Sequence, residues 1–322
     1  MNSILWLVSR LPDLPALCGL RAKTGDLDWM SRPAFFAWAL ILLISDLPDV
    51  AWNAFLGAVP SWLFWAKVCL LVISLLACLL WRPIRPLWQF SFVFAIFYLA
   101  LAASAWVGDT SFWQAHFRGE KVTFTAGYLG FHIRDMGIVF LVIIALWIVK
   151  RDRQAFFLAK GQLDAPVEPV RWLGIHKGES WSRFGWIFAA SAGLGILIPI
   201  LLNVSITLNA LLSAASLFPV AIFLAALNAF AEEVYFRASL LSTLRGIIGN
   251  KQALLLNMVF FGLAHVLYGS PPGILGFLLT GFLAFLLGKS MLETKGILWA
   301  WFIHFVPDVF IFMSYALTWV QR

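Results

Sequence analysis

Two adjacent glutamates and an arginine, in AEEVYFRASL at 231–240, stand directly behind roughly twenty apolar residues in a chain of which only 12% is charged. An ionisable side chain inside an apolar run is costly to hold in hydrocarbon, so each one is a candidate functional group that needs a partner. Four groups compete on this criterion: Asp46 with Asp49, Lys67, the trio His132, Arg134 and Asp135, and a C-terminal set. Only the last forms a repeated geometric pattern. It consists of Glu232 and Glu233 with Arg237, then FFGLAH ending at His265, then HFVPD from His304 to Asp308.

On a helix, residues four apart share a face. Glu233 can therefore pair with Arg237, while Glu232, rotated by about 100°, points elsewhere and shares its face with Asn228 and Phe236. Asn257, Phe261 and His265 fall on one stripe, and His304 faces the same way as Asp308. Three segments thus offer a carboxylate, two imidazoles and a second carboxylate. That inventory suits activation of water: a desolvated glutamate can act as general base, and histidines can orient the water, ligate a metal or stabilise an oxyanion. Each piece alone has a plainer reading. Adjacent glutamates behind a span are often an interfacial ion pair, a lone histidine in a span is often an interhelical hydrogen bond, and His304 with Asp308 could satisfy backbone groups freed by Pro307. Their order in neighbouring apolar segments argues for one site.

The elements that must position these groups are membrane spans. The chain has 322 residues, is 62% hydrophobic and has a mean hydropathy of +0.89, with several apolar runs near the length that crosses a bilayer. A soluble domain would need far more polar surface. The expected fold class is all-α, a polytopic transmembrane helical bundle of about eight or nine spans, at 34–58, 61–81, 87–107, 129–149, 184–203, 209–231, 253–268, 272–288 and 297–319. Asp46, Pro48 and Asp49 interrupt the first, which could be broken or re-entrant.

With a cytoplasmic N-terminus, eighteen of the 23 Lys and Arg residues fall in inside loops, including the 150–183 segment and 237–251. The positive-inside rule supports that orientation and accounts for the net charge of +7 without nucleic acid. Three organisational regions follow: an N-terminal transmembrane scaffold at 1–150, a cytoplasmic loop at 151–183 and a catalytic helical core at 184–322. The first residues, MNSILWLVSRLPDLPALCGLRAK, read as an interfacial segment rather than a cleaved signal peptide. Cys18, Cys69 and Cys78 give no even framework, so no structural disulfide is expected.

At this point the residues resemble a known family. EEVYFR (232–237) fits EExxxR, FGLAH (261–265) fits FxxxH, and HFVPD (304–308) fits Hxxx(N/D), the three motifs of the CPBP family of CAAX prenyl endopeptidases and bacterial bacteriocin-processing (Abi) proteins. The resemblance covers about 184–319. It implies that Glu232 activates water with His265 as its partner, that His304 and Asp308 face the scissile carbonyl, and that Glu233 and Arg237, with Phe261, support the motif helices. Many relatives carry Asn where this chain has Asp308. An ionised Asp cannot donate to an oxyanion, so Asp308 is protonated, accepts from His304, or ligates a metal.

The function expected is therefore an intramembrane endopeptidase, acting near the C-terminus of a membrane-associated protein or peptide amid membrane lipid. A proton-coupled transporter and a non-catalytic binding or immunity protein are the alternatives. No cofactor is favoured. Zinc could be held on paper by Glu232, His265, His304 and Asp308, but there is no HExxH pair, and a metal-free glutamate base is chemically sufficient.

Overall fold

A computed structural model of the chain describes residues 31–269 and 271–321, with only the backbone of Trp172. The N-terminal segment read as interfacial, with Cys18, and Arg322 lie outside the described residues.

The described residues are helical throughout, joined by short turns and the 151–180 segment, with no strand among them beyond two isolated bridges. In chain order the α-helices are α1 (Arg32–Ile44), α2 (Leu47–Leu56), α3 (Ser61–Leu80), α4 (Trp88–Asp109), α5 (Ser111–Phe117), α6 (Phe124–Lys150) and α7 (Trp181–Asn203). There follow α8 (Leu208–Ala214), α9 (Phe218–Glu232), a π-helical turn (Glu233–Ala238), α10 (Ser239–Ile248), α11 (Asn250–Tyr268), α12 (Gly273–Thr294) and α13 (Leu298–Val320). Side chains of Ser31, Thr110, Thr123 and Thr207 accept backbone N–H groups at the starts of α1, α5, α6 and α8, which satisfies donors left orphaned at a helix N-terminus.

Among the described residues eight helical runs are long and apolar enough to cross a bilayer, and the bent pair α1–α2 makes a ninth if counted as one span. The chain is a multi-pass membrane protein. Its large apolar side chains point outward along α7, where Trp186, Ile187, Leu194, Ile198 and Leu201 are all exposed. Such a surface suits lipid and would be a liability in water.

Two expectations about spans are sharpened. The first span is broken as Asp46 and Pro48 suggest, with a 48° bend between α1 and α2. The span placed at 209–231 does not stop there. Helix continues from 208 to 248, so most of the polar stretch read as the loop 237–251 is α10. That helix buries Leu240, Leu241, Leu244 and Ile248 and stacks the Arg245 guanidinium on the Phe157 ring at 4.4 Å. Gly249, with φ +83, ends it, in a left-handed conformation that a glycine adopts freely.

The long polar segment is stitched to the head of α13. Gln162 N–H donates to Thr294 O at 2.7 Å and Ile297 N–H to Ala159 O at 3.0 Å, while Trp299 Nε1 donates to Leu163 O at 3.0 Å. The backbones approach so closely that a Cβ on Gly161 would sit 2.7 Å from Thr294 O. This clamp fixes where α13 begins, and hence where His304 stands.

Candidate active site

Glu232 ends α9 and Glu233 opens the π-turn, which widens the helix by one residue and redirects the side chains after it. Such turns inside α-helices are frequent at functional sites. A carbonyl at the turn, that of Phe236, accepts from Asn257 Nδ2 of α11 at 3.2 Å. The stripe Asn257–Phe261–His265 therefore faces the turn that carries the glutamates.

The two glutamates separate as the i,i+4 spacing requires. Glu233 is fully buried, and its Oε1 accepts from Arg237 Nη1 at 2.7 Å. The guanidinium, also fully buried, lies over the Phe261 ring at 4.2 Å, which gives the motif phenylalanine a physical task as a cation–π partner. The same Oε1 lies 2.8 Å from His304 Nδ1. Glu233 thus ties α9 to α13 and fixes the ring orientation of His304, a role beyond the local ion pair read from spacing.

Glu232 points to the other side of that ring. Its Oε2 is 3.5 Å from His304 Nε2, and Asp308 Oδ1 is 3.8 Å from the same nitrogen. Asn228, one turn before Glu232, donates through Nδ2 to Glu232 Oε1 at 3.1 Å and to Asp308 Oδ2 at 3.0 Å. Its amide keeps two carboxylates side by side in a buried setting where they would otherwise repel. Asp308 here is an acceptor. Asn228 was legible only as a residue on the face of Glu232; its bridging role depends on α13 packing against α9, fixed further by Trp301 Nε1 donating to Ala226 O at 3.0 Å.

His265 occupies a neighbouring position rather than the same cluster. Its Nδ1 donates to Phe261 O at 2.9 Å, so in the neutral ring Nε2 is left as the acceptor. Its ring stacks obliquely on Phe261, 4.5 Å between centroids, and Phe261 in turn meets His304 edge-on at 6.2 Å. Glu232, His304 and Asp308 converge directly, and His265 borders them across Phe261. Among the described residues no three His, Cys, Asp or Glu side chains group as metal ligands; Nδ1 of each histidine is committed, to Glu233 or to a backbone carbonyl, and Nε2 is turned away from that partner.

The other ionisable groups singled out in the sequence lie outside this cluster. Lys67 is buried between Asp49, with which it makes a close ion pair, and Asp46 at 3.7 Å. Arg134 donates to Ser104 O at 2.9 Å, away from Asp135. His132 is fully buried against Phe312.

A helical multi-pass membrane protein with a buried carboxylate–imidazole cluster is the class these features define. Residues 214–310 match the family model Rce1-like, described as type II CAAX prenyl endopeptidase Rce1-like. No curated protein and no solved structure matches the chain. The matched segment contains Asn228, both glutamates, Arg237, Phe261, both histidines and Asp308, so the resemblance carried by the three motifs is borne out over that segment.

Proposed function

We propose that the chain is an intramembrane endopeptidase that hydrolyses a peptide bond near the C-terminus of a membrane-associated protein or peptide. The observation that carries this reading is the convergence of Glu232 and Asp308 on His304 Nε2, with Asn228 joining the two carboxylates and Glu233 holding the far side of the ring. The match to a CAAX prenyl endopeptidase family over the same residues supports it.

In the proposed reaction Glu232 Oε2 takes a proton from water, and the water oxygen bonds to the scissile carbonyl carbon. The developing oxyanion is stabilised by His304 as an imidazolium, its Nδ1–H held by Glu233 and its Nε2–H, beside the Glu232 and Asp308 carboxylates, left to face the substrate. The C–N bond then breaks, and the proton held by Glu232 passes to the departing nitrogen. The products are a carboxylic acid and an amine, and no step requires a redox partner. Asp308 and Glu233 orient His304, and Asn228 keeps Glu232 directed at the ring. His265, with Nε2 as acceptor, is suited to hold the water or a substrate N–H from the side of α11. The abundance of Lys and Arg in the 150–183 segment supports a cytoplasmic location for that segment and for the N-terminus.

The test uses full-length protein in lipid nanodiscs with a library of fluorescence-quenched peptides bearing apolar C-terminal tails. Cleavage by the wild type that is lost in Glu232→Gln is expected. Cleavage retained in Glu232→Gln would refute the assignment.

A further inference from the structure

Between the N-terminal helices and the motif helices lies a cavity of about 180 Å³, lined by Asp46, Tyr98, Asp135, Tyr235 and Phe236 among others. It has room for about six waters at about 30 Å³ each, or for one long side chain, and it is well below the ~300 Å³ at which pockets for larger ligands begin. Its place is specific. Tyr235 and Phe236 follow the two glutamates in the π-turn, and Ala264, in the wall, precedes His265. Asp135 is within electrostatic reach of Glu232, and Asp46 of His265.

Both aspartates are brought there by local structure. The break between α1 and α2 is held by Tyr98, whose hydroxyl donates to Ile44 O, and by Ser45 Oγ, which accepts from Leu47 N at 3.2 Å. That turn leaves Asp46 in the cavity wall. Lys67 is shared by two aspartates and sits closer to Asp49, so one ammonium faces two carboxylates. Among the described residues Asp135, in mid-span on α6, makes neither a hydrogen bond nor an ion pair: its neighbour Arg134, though within electrostatic reach, is turned to Ser104 O and over the Trp113 ring. A carboxylate in that position lacks the partner that hydrocarbon demands. The remaining walls are aromatic, with Phe97 and Tyr235 stacked at 5.1 Å. Aromatic faces accept both a cation and the alkyl stem that carries it.

From this juxtaposition we infer that the cavity is a specificity pocket for a basic side chain of the peptide substrate, a lysine or arginine, with Asp135 as its principal counter-charge and Asp46 as the second. The occupant named here rests on the endopeptidase reading. Full-length Glu232→Gln protein in nanodiscs is titrated with labelled peptides carrying a tail of about 20 apolar residues and one variable position, filled by lysine, norleucine or glutamate and moved along the polar segment. At one position lysine should bind about thirtyfold or more tighter than norleucine, the size expected for a desolvated charge pair. Asp135→Asn in the same background should erase that ratio, Asp135→Glu should restore it, and Asp46→Asn should reduce it.

Equal binding of lysine and norleucine peptides at every position, or no binding of either, overturns the pocket. So does a folded Asp135→Asn that keeps the preference, and if that variant does not fold, an unaltered ratio in Asp46→Asn does the same. Cleavage of the same peptides by the wild type is read in parallel. Cleavage without a lysine preference removes the pocket alone, whereas a lysine preference without cleavage upholds the pocket and removes the endopeptidase reading.

Discussion

A single oxygen of Glu233, Oε1, accepts from Arg237 Nη1 at 2.7 Å and from His304 Nδ1 at 2.8 Å. The second glutamate of the pair is therefore a structural anchor that reaches across two helices, and the first is left with one oxygen facing His304 Nε2. Adjacent residues of identical chemistry take different tasks because helical rotation points them to different neighbours.

Glu233→Ala should destabilise the protein strongly. It leaves Arg237 buried without its counter-charge, a loss of about 3–5 kcal/mol for a broken buried pair, and frees the His304 ring. Thermal unfolding in detergent should show a clearly lowered midpoint, and an unchanged midpoint would contradict the anchoring role.

Glu232→Gln should leave that unfolding midpoint close to the wild type while lowering peptide hydrolysis by about 10²–10⁴-fold, the contribution of a positioned acid–base group. The contrast between the two glutamates is the informative result. If the two variants exchange phenotypes, the roles are reversed.

Asn228→Asp should be worse for turnover than Asn228→Ser. The aspartate replaces the donor that joins Glu232 and Asp308 by a third carboxylate, whereas serine removes one shared donor, worth about 1–3 kcal/mol when buried acceptors are left without it. Steady-state kinetics on one cleaved peptide ranks the three proteins, and equal activity of all three would show that the bridge is idle.

Gly161→Ala should loosen the clamp on α13. A Cβ there would meet Thr294 O at 2.7 Å and Gly296 Cα at 2.9 Å, at a residue whose φ is +78, so backbone must shift to admit it. Limited proteolysis of the 150–183 segment in the intact protein should accelerate, and an unchanged digestion rate would argue against the clamp.

The sequence carried much of this arrangement because membrane chemistry is strict. Uninterrupted apolar runs located the spans, and scarcity of charge made Glu232, His265, His304 and Asp308 conspicuous. What stayed hidden depended on distance in sequence or on departures from α-helical period. The Glu233–His304 contact joins residues 71 apart, and the Asn228–Asp308 bond joins residues 80 apart. Continuation of helix to Ile248 was masked because Arg237 and Arg245 read as a charged loop, although the first is buried against Glu233 and the second stacks on Phe157. Asp46 and Asp135 looked like separate oddities of two spans, and only the placement of the α1–α2 break and of α6 beside the π-turn brings them to one cavity.

Isotope labelling tests the central claim most directly. A cleavable tailed peptide is incubated with the wild type and with Glu232→Gln in water enriched in oxygen-18, and the new carboxyl group is weighed by mass spectrometry. The account predicts one oxygen-18 atom in the new C-terminal carboxylate from the wild type and no product above background from Glu232→Gln. Labelled product formed by Glu232→Gln at the wild-type rate would contradict it.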